Sequence, residues 1–356
     1  MYDWFHRIFK PAPKKAALAP APVPPAAETV AAPAAAPSTA PAVRGTSWMQ
    51  RDEVNANFSH CVFGVSDDAQ IFTSRIEDEV LAALEKIVGS GQSGANLVRR
   101  MPGVVPQLLQ SLRTEAFSGT DLAQKISHDV VLVAEVLRLA NSACHHADKA
   151  ITSIEHAILI LGHGGMRQLI TGVAFKPIID LKSGHFTRLA ALQLWDQSRQ
   201  CALANRLLAQ DQAIDPFEAF MAGLMKNVGL IASLRVIDQM ALDVRQIGSV
   251  SFFNALISHA RVLSCSIGKE WDFPDTVIRA IEEQRSTVQQ ADMSPIGKIL
   301  SIGDYLSKMQ MLQRHQRLHL DDARATQGLS ERELACLGSL DALDSLDAGG
   351  QALISY

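Results

Sequence analysis

An all-α helical bundle is the fold this sequence predicts, and three observations carry that prediction. No segment keeps the period-two alternation of a half-buried strand, whereas apolar residues recur at helical spacing over most of the chain after residue 75. Of the 356 residues, 47% are hydrophobic but only 6% aromatic; Leu, Ala, Ile and Val dominate, a mixture suited to helix-on-helix packing. Capping residues, prolines at first helical positions and glycines after last turns punctuate the apolar runs.

Residues 1–10, MYDWFHRIFK, place Tyr2, Trp4, Phe5, Ile8 and Phe9 ahead of Lys10, Lys14 and Lys15. A short helix there would carry an apolar face and a basic end. Membrane-surface or partner docking by residues 1–15 therefore stands beside a plain unstructured start. Residues 11–47 form an Ala/Pro-rich linker, with nine of the chain's 15 prolines before residue 42. Proline removes backbone donors and fixes φ, and alanine has little surface to bury, so a disordered, semi-rigid tether is expected.

Residues 48–99 read as an accessory helical region in which Phe58, Val62, Phe63, Val65, Ile71 and Phe72 supply a small apolar surface. Within it, 75–88 has helical spacing and stops at Gly89. The glycine-rich stretch at 89–94 lacks the Gly-Lys-Ser/Thr ending of a phosphate loop and reads as a connector.

The main body, 100–310, begins with short helices at 104–112, 122–126 and 130–141. Thr152 and Glu155 make a capping box for a helix over 154–161, and a helix over 166–175 is stopped by Pro177. A long amphipathic helix spans roughly 186–209. Asp215 before Pro216 opens the helix that contains GLMKNVGL (223–230), where Lys226 and Asn227 stand at positions the pattern would bury. Further helices fall near 252–263, 274–284 and 295–308, and the C-terminal extension 311–356 carries one near 331–337.

Composition narrows the classes. A net charge of −4 gives no sign of general nucleic-acid binding. The five cysteines (Cys61, Cys144, Cys201, Cys265 and Cys336) are scattered without a C-x-x-C pair, which suits core packing in a reducing compartment. No uninterrupted apolar run reaches the roughly 18–20 residues of a membrane span, and the N-terminus lacks a signal-peptide core, so a cytoplasmic location is expected.

Several landmarks occur in order. Pro102 and Pro106 open one helix, and Asp129 opens another that ends in Leu137-Arg138 and Asn141-Ser142. Ser153-Ile154, Ala157-Ile158 and Leu161-Gly162 follow. LWDQSRQCALANRLL with Trp195 and Ser198, FEAFMAGLMKNVGL with Gly223 and Gly229, and EWDFPDTVIRAI continue the series. Over about 100–310 the chain resembles the HDOD family. That resemblance implies an HD-domain-like helical bundle in a bacterial, non-enzymatic signal-transduction or regulatory module acting through protein–protein contacts.

HDOD domains are similar to HD-type phosphohydrolases, whose metal is held by a His, a His-Asp doublet and a distal Asp. Imidazole and carboxylate suit divalent metals, and the metal activates water. The resemblance puts Gln197 at the first His, Lys226-Asn227 at the doublet and Gln284-Arg285 at a further His pair. Asp304 alone keeps a ligand-competent side chain. A protonated Lys has no lone pair and Arg does not deprotonate in proteins. A degenerate HD site, with no metal, cofactor or catalytic residue, is therefore expected.

Two other readings stay open: an HD-type metal-dependent phosphohydrolase acting on a cyclic dinucleotide or nucleotide, and a catalytically dead nucleotide sensor. In the sensor, Lys226, Arg285 and Asp304 would form a basic pocket for an anion. In a purely structural version Lys226 pairs with Asp304 in the former metal space. The His128-Asp129 dipeptide suits a turn and an N-cap, away from the HD position. Cys144-His145-His146 has no second ligand pair at zinc-like spacing, and His156 and His163 read as single histidines. Ser142 and Ser198 lack a nucleophile elbow, and Glu135 with Arg138 reads as a local ion pair. The sequence names neither the protein partner nor the pathway.

Overall fold

The computed structural model describes residues 46–64, 71–89, 151–159, 184–210, 212–240, 247–285, 290–318 and 323–351, with isolated positions between 123 and 171. The N-terminal segment, nearly all of the tether, the glycine-rich connector beyond Gly89 and the 144–146 loop lie outside the described residues. So do Val65, Pro102, Pro106, His128, Asp129, Glu135, Arg138, Asn141, Ser142, Leu161 and His163.

Among the described residues there is no strand. The chain folds into α1 (Trp48–Phe63), α2 (Arg75–Gly89), α3 (His185–Ala209), α4 (Pro216–Met225), α5 (Val228–Gln239), α6 (Val250–Glu270), α7 (Asp275–Glu282), α8 (Pro295–Arg314) and α9 (Glu331–Gln351). α1 starts at a capping box, in which Ser47 and Gln50 exchange side chain and backbone N–H. α4 begins as its sequence dictates, with the Asp215 carboxylate accepting from Phe217 N at 2.8 Å and Pro216 in the first turn. α3 has no cap of its own. Asp238, at the far end of α5, accepts from Phe186 N and Thr187 N at 2.8 and 3.0 Å.

α3 is the central rod and packs against α1, α4, α5, α8 and α9. Phe220, Met225, Leu300 and Met309 belong to one apolar cluster around it. A second cluster joins Val62, Leu84, Phe252 and Leu256 from α1, α2 and α6 to α5. Burial of a residue such as Phe220, which is fully enclosed, contributes about 1.5–3 kcal/mol.

Several expectations are corrected. GLMKNVGL does not lie in one helix: α4 ends at Met225 and α5 starts at Val228, with Asn227 at φ −97°, ψ 0° between them. Gly223 and Gly229 explain the break. A Cβ on Gly223 would lie 2.5 Å from the backbone of Ala202 in α3, and one on Gly229 would collide with the Ala260 carbonyl of α6. Each glycine lets its helix touch a different neighbour, and the break lies between them. The helix start near 153 is capped by Ser153, whose hydroxyl accepts from His156 N at 3.1 Å, and not by Thr152. Of the accessory apolar residues, Phe58 and Val62 are buried and Phe63 stacks on Phe253, but Ile71 and Phe72 are exposed. α6, α8 and α9 outrun their expected ends, and the extra turns bury Ile267, Met309 and Leu340. Two stretches, Pro216–Gln239 and Val250–Glu270, are long and apolar enough to cross a membrane by composition; of an apolar 18-residue window in each, 89% and 44% is buried within the bundle.

Candidate functional site

Three elements converge on one ammonium. Lys226, in the α4–α5 turn, directs Nζ to Gln197 Oε1 on α3 at 2.8 Å and to Asn227 Oδ1 at 3.0 Å. Asp304 Oδ1 on α8 stands 2.6 Å away. An ammonium has three donors and here meets three acceptors, so its capacity is filled. The turn is held from behind by α6: Ser264 Oγ donates to the Lys226 carbonyl at 3.0 Å and accepts from Gly229 N at 2.8 Å.

The acceptors are themselves fixed. Gln197, fully buried, donates through Nε2 to Asp304 Oδ1 at 2.9 Å and to Ser307 Oγ at 2.8 Å. Asn227 Nδ2 donates to Gln197 Oε1, Ser198 Oγ and the Leu194 carbonyl at 2.7, 2.9 and 3.2 Å. Asp304 Oδ2 pairs with Lys308 Nζ at 2.7 Å, one helical turn along α8. Lys308 also donates to Asn55 Oδ1 at 2.7 Å and lies over the Phe58 ring, 5.2 Å from its centre, so α1 closes the cluster on that side.

Burial pushes the Asp304 carboxyl upward, but the Lys226 and Lys308 ammoniums outweigh it and hold the group well below the usual carboxylate range. Burial lowers the Lys308 ammonium, opposed by Asp304. The nearby Cys201 thiol is pushed up to about 12 by burial, so it stays protonated and is no nucleophile. Elsewhere Glu77 is driven up by burial but carried below its ordinary value by N–H donors from Gly248, Ser249 and Ser74. Both carboxyls are depressed in the folded state, so between folded and ordinary values the unfolded chain binds more protons. Stability from them is therefore complete above about pH 4.5 and falls as pH drops through the depressed values. Urea midpoints measured at pH 7, 4.5 and 3 are expected to be flat over the first step and to fall over the second.

The family resemblance groups Arg285 with Lys226 and Asp304. The structure does not: Arg285 pairs with Glu282 at 3.6 Å at the surface, with half its side chain exposed. The cause is local. Gln284 follows α7 and donates to the carbonyls of Ala280 and Gly297 at 2.8 and 3.1 Å, tying α7 to α8 and leaving Arg285 outside. Trp195 is core, Ser198 donates to the Leu194 carbonyl, and Gly162 takes φ +66°. Lys308, Ser307 and Asn55 were missed. Lys308 had a signal, four residues after Asp304 on one helix face; Asn55, 253 residues from Lys308, had none.

One carboxylate, two amide oxygens and two ammoniums do not fit a divalent metal, which would have to displace the Lys226 ammonium to reach these oxygens. Among the described residues no group of three or more His, Cys, Asp or Glu could hold a metal ion.

The family model of the HDOD domain matches residues 98–287. The chain belongs to the HDOD domain family. That HDOD match takes in Gln197, Lys226 and Asn227, whereas Asp304, Lys308 and α1 lie outside it. An HDOD domain protein of unknown function from Geobacter sulfurreducens has the same fold at a TM-score of 0.52 and 18% identity, covering 74% of this chain and 94% of that one. A candidate phosphohydrolase from Shewanella amazonensis gives 0.51 and 19%, covering 74% and 94%. A candidate signal transduction protein from Marinobacter aquaeolei gives 0.51 and 18%, covering 85% and 64%. An uncharacterized protein of Treponema pallidum is 21% identical over 214 residues, so the chain matches 40% of that relative's length.

Proposed function

We propose that this HDOD domain is a non-enzymatic bacterial regulatory module that acts in signal transduction through protein–protein contacts in the cytoplasm. The observation that carries the reading is the saturated Lys226 ammonium at the position of the HD doublet, with three acceptors and no spare donor. A hydrolase of this type needs a metal to activate water, and among the described residues the one carboxylate in this cluster, Asp304, already neutralises two lysines. The candidate signal transduction protein from Marinobacter aquaeolei, alike in fold, agrees with a regulatory role.

The phosphohydrolase reading draws on the name of the Shewanella relative and is opposed by the donor set. The anion-sensor reading requires a free N–H on Lys226 and a contribution from Arg285, and neither is on hand. Elemental analysis of purified protein and hydrolysis assays with cyclic dinucleotides and added manganese test the proposal. Metal well below one equivalent and no turnover above an Asp304→Ala control are expected. Stoichiometric metal with turnover lost in Asp304→Ala would overturn it.

A further inference from the structure

We propose that Gln197, Asn227 and Asp304 form a binding site for a primary ammonium cation, filled in the native protein by Lys226, which accepts a free alkylammonium when that side chain is cut back. This deepens the reading of the site as degenerate and rests on it. Each acceptor is oriented by contacts that do not involve Lys226. The Gln197 amide is held by Ser307 and Asn227, the Asn227 amide by Ser198 and the Leu194 carbonyl, and the Asp304 carboxylate by Lys308 and Gln197. Because both amide NH2 groups are engaged by partners other than Lys226, among them Ser307, Ser198 and the Leu194 carbonyl, their carbonyl oxygens face the ammonium whether or not it is there. The site is thus organised in advance, which is the main requirement for tight binding of a small ion.

The distances discriminate between cations. Contacts of 2.6, 2.8 and 3.0 Å suit N–H donors, whereas first-row divalent metals and magnesium draw oxygen to about 2.0–2.2 Å. Three donors matched to three acceptors select a primary ammonium over a quaternary one, which has no N–H to offer. The Lys226 side chain is 12% exposed, which leaves a route from solvent. Lys226→Ala removes three methylene carbons and the ammonium, the heavy atoms of n-propylammonium.

Thermal unfolding of Lys226→Ala is followed across a titration of n-propylammonium chloride, with tetramethylammonium chloride, sodium chloride and manganese chloride at equal ionic strength. The variant is expected to melt about 10 °C below the native protein, and n-propylammonium to restore most of that loss with a saturable dependence. Ethyl- and methylammonium should restore less, and the other salts nothing specific. The native protein should not respond, nor should Lys226→Met, whose apolar chain fills the same channel. Stabilisation by tetramethylammonium equal to that by n-propylammonium, an equal effect of manganese, or equal rescue of Lys226→Met would overturn the proposal.

If Lys226→Ala does not fold, the native protein supplies the readout: its nitrogen-15 spectrum should show a Lys226 ammonium signal protected from solvent exchange. That signal should vanish in Lys226→Met; its absence from the native spectrum overturns the proposal. Turnover in the hydrolysis assay would sink the non-enzymatic reading, whereas the alkylammonium titration reports on the acceptor site alone.

Discussion

Asp304→Ala is expected to destabilise the protein by about 3–5 kcal/mol, read as a shift in urea midpoint at pH 7. The size follows from what the substitution leaves behind. Lys226 and Lys308 are both largely buried, at 12% and 14% side-chain exposure, and share the two oxygens of this one carboxylate. Without it, two ammoniums face each other and the Gln197 amide loses an acceptor at 2.9 Å. A loss below about 1 kcal/mol is what an exposed surface pair would give, and it would contradict the enclosed geometry. Lys308→Met added to Asp304→Ala should recover part of the loss, because it removes one of the stranded charges.

Gly229→Ala is expected to cost about 3 kcal/mol, although it adds one methyl group. That methyl would meet the Ala260 carbonyl oxygen and the Ser264 amide, both backbone atoms of α6, with Ser264 Oγ beside them. No flexible side-chain end can swing aside, so α5 must move off α6. The same shift disturbs the Ser264 bonds that hold the Lys226 carbonyl and Gly229 N. Gly338→Ala is the control. It lies exposed within α9 with nothing within 4 Å of an added Cβ, and should be neutral or stabilising by up to about 1 kcal/mol. Equal costs at the two glycines, by thermal or urea unfolding, would remove close helix contact as the reason for Gly229.

The legible part of the site was its chemistry. The resemblance to HD-type enzymes singled out Gln197, Lys226, Asn227 and Asp304 from residue types in a recognisable frame, and the structure brings these four side chains into one cluster. The Asp215–Pro216 helix start was equally plain, because a cap and its proline act over one turn. The break at Asn227 was not legible, since Met225, Val228, Leu230 and Ile231 keep an apolar pattern straight across it. What interrupts the helix is the competing demand of two close contacts, with α3 at Gly223 and with α6 at Gly229. The place of Arg285 was misjudged for a related reason: adjacency to Gln284 in sequence does not say which way a side chain leaves the end of α7.

Helix content and the Asp215–Pro216 helix start were determined by the sequence alone, because they depend on local periodicity and on a cap acting over one turn, whereas the start of α3 is held by Asp238 from the far end of α5. The tertiary structure decided that Gln197, Asn227 and Asp304 gather around the protein's own Lys226 cation. Gln197 and Asp304 are 107 residues apart in the chain, and Lys226 meets both only because α3, the α4–α5 turn and α8 pack together. Whether an ammonium has a donor to spare is set by distances of a few tenths of an ångström, and those arise from packing rather than from the order of residues.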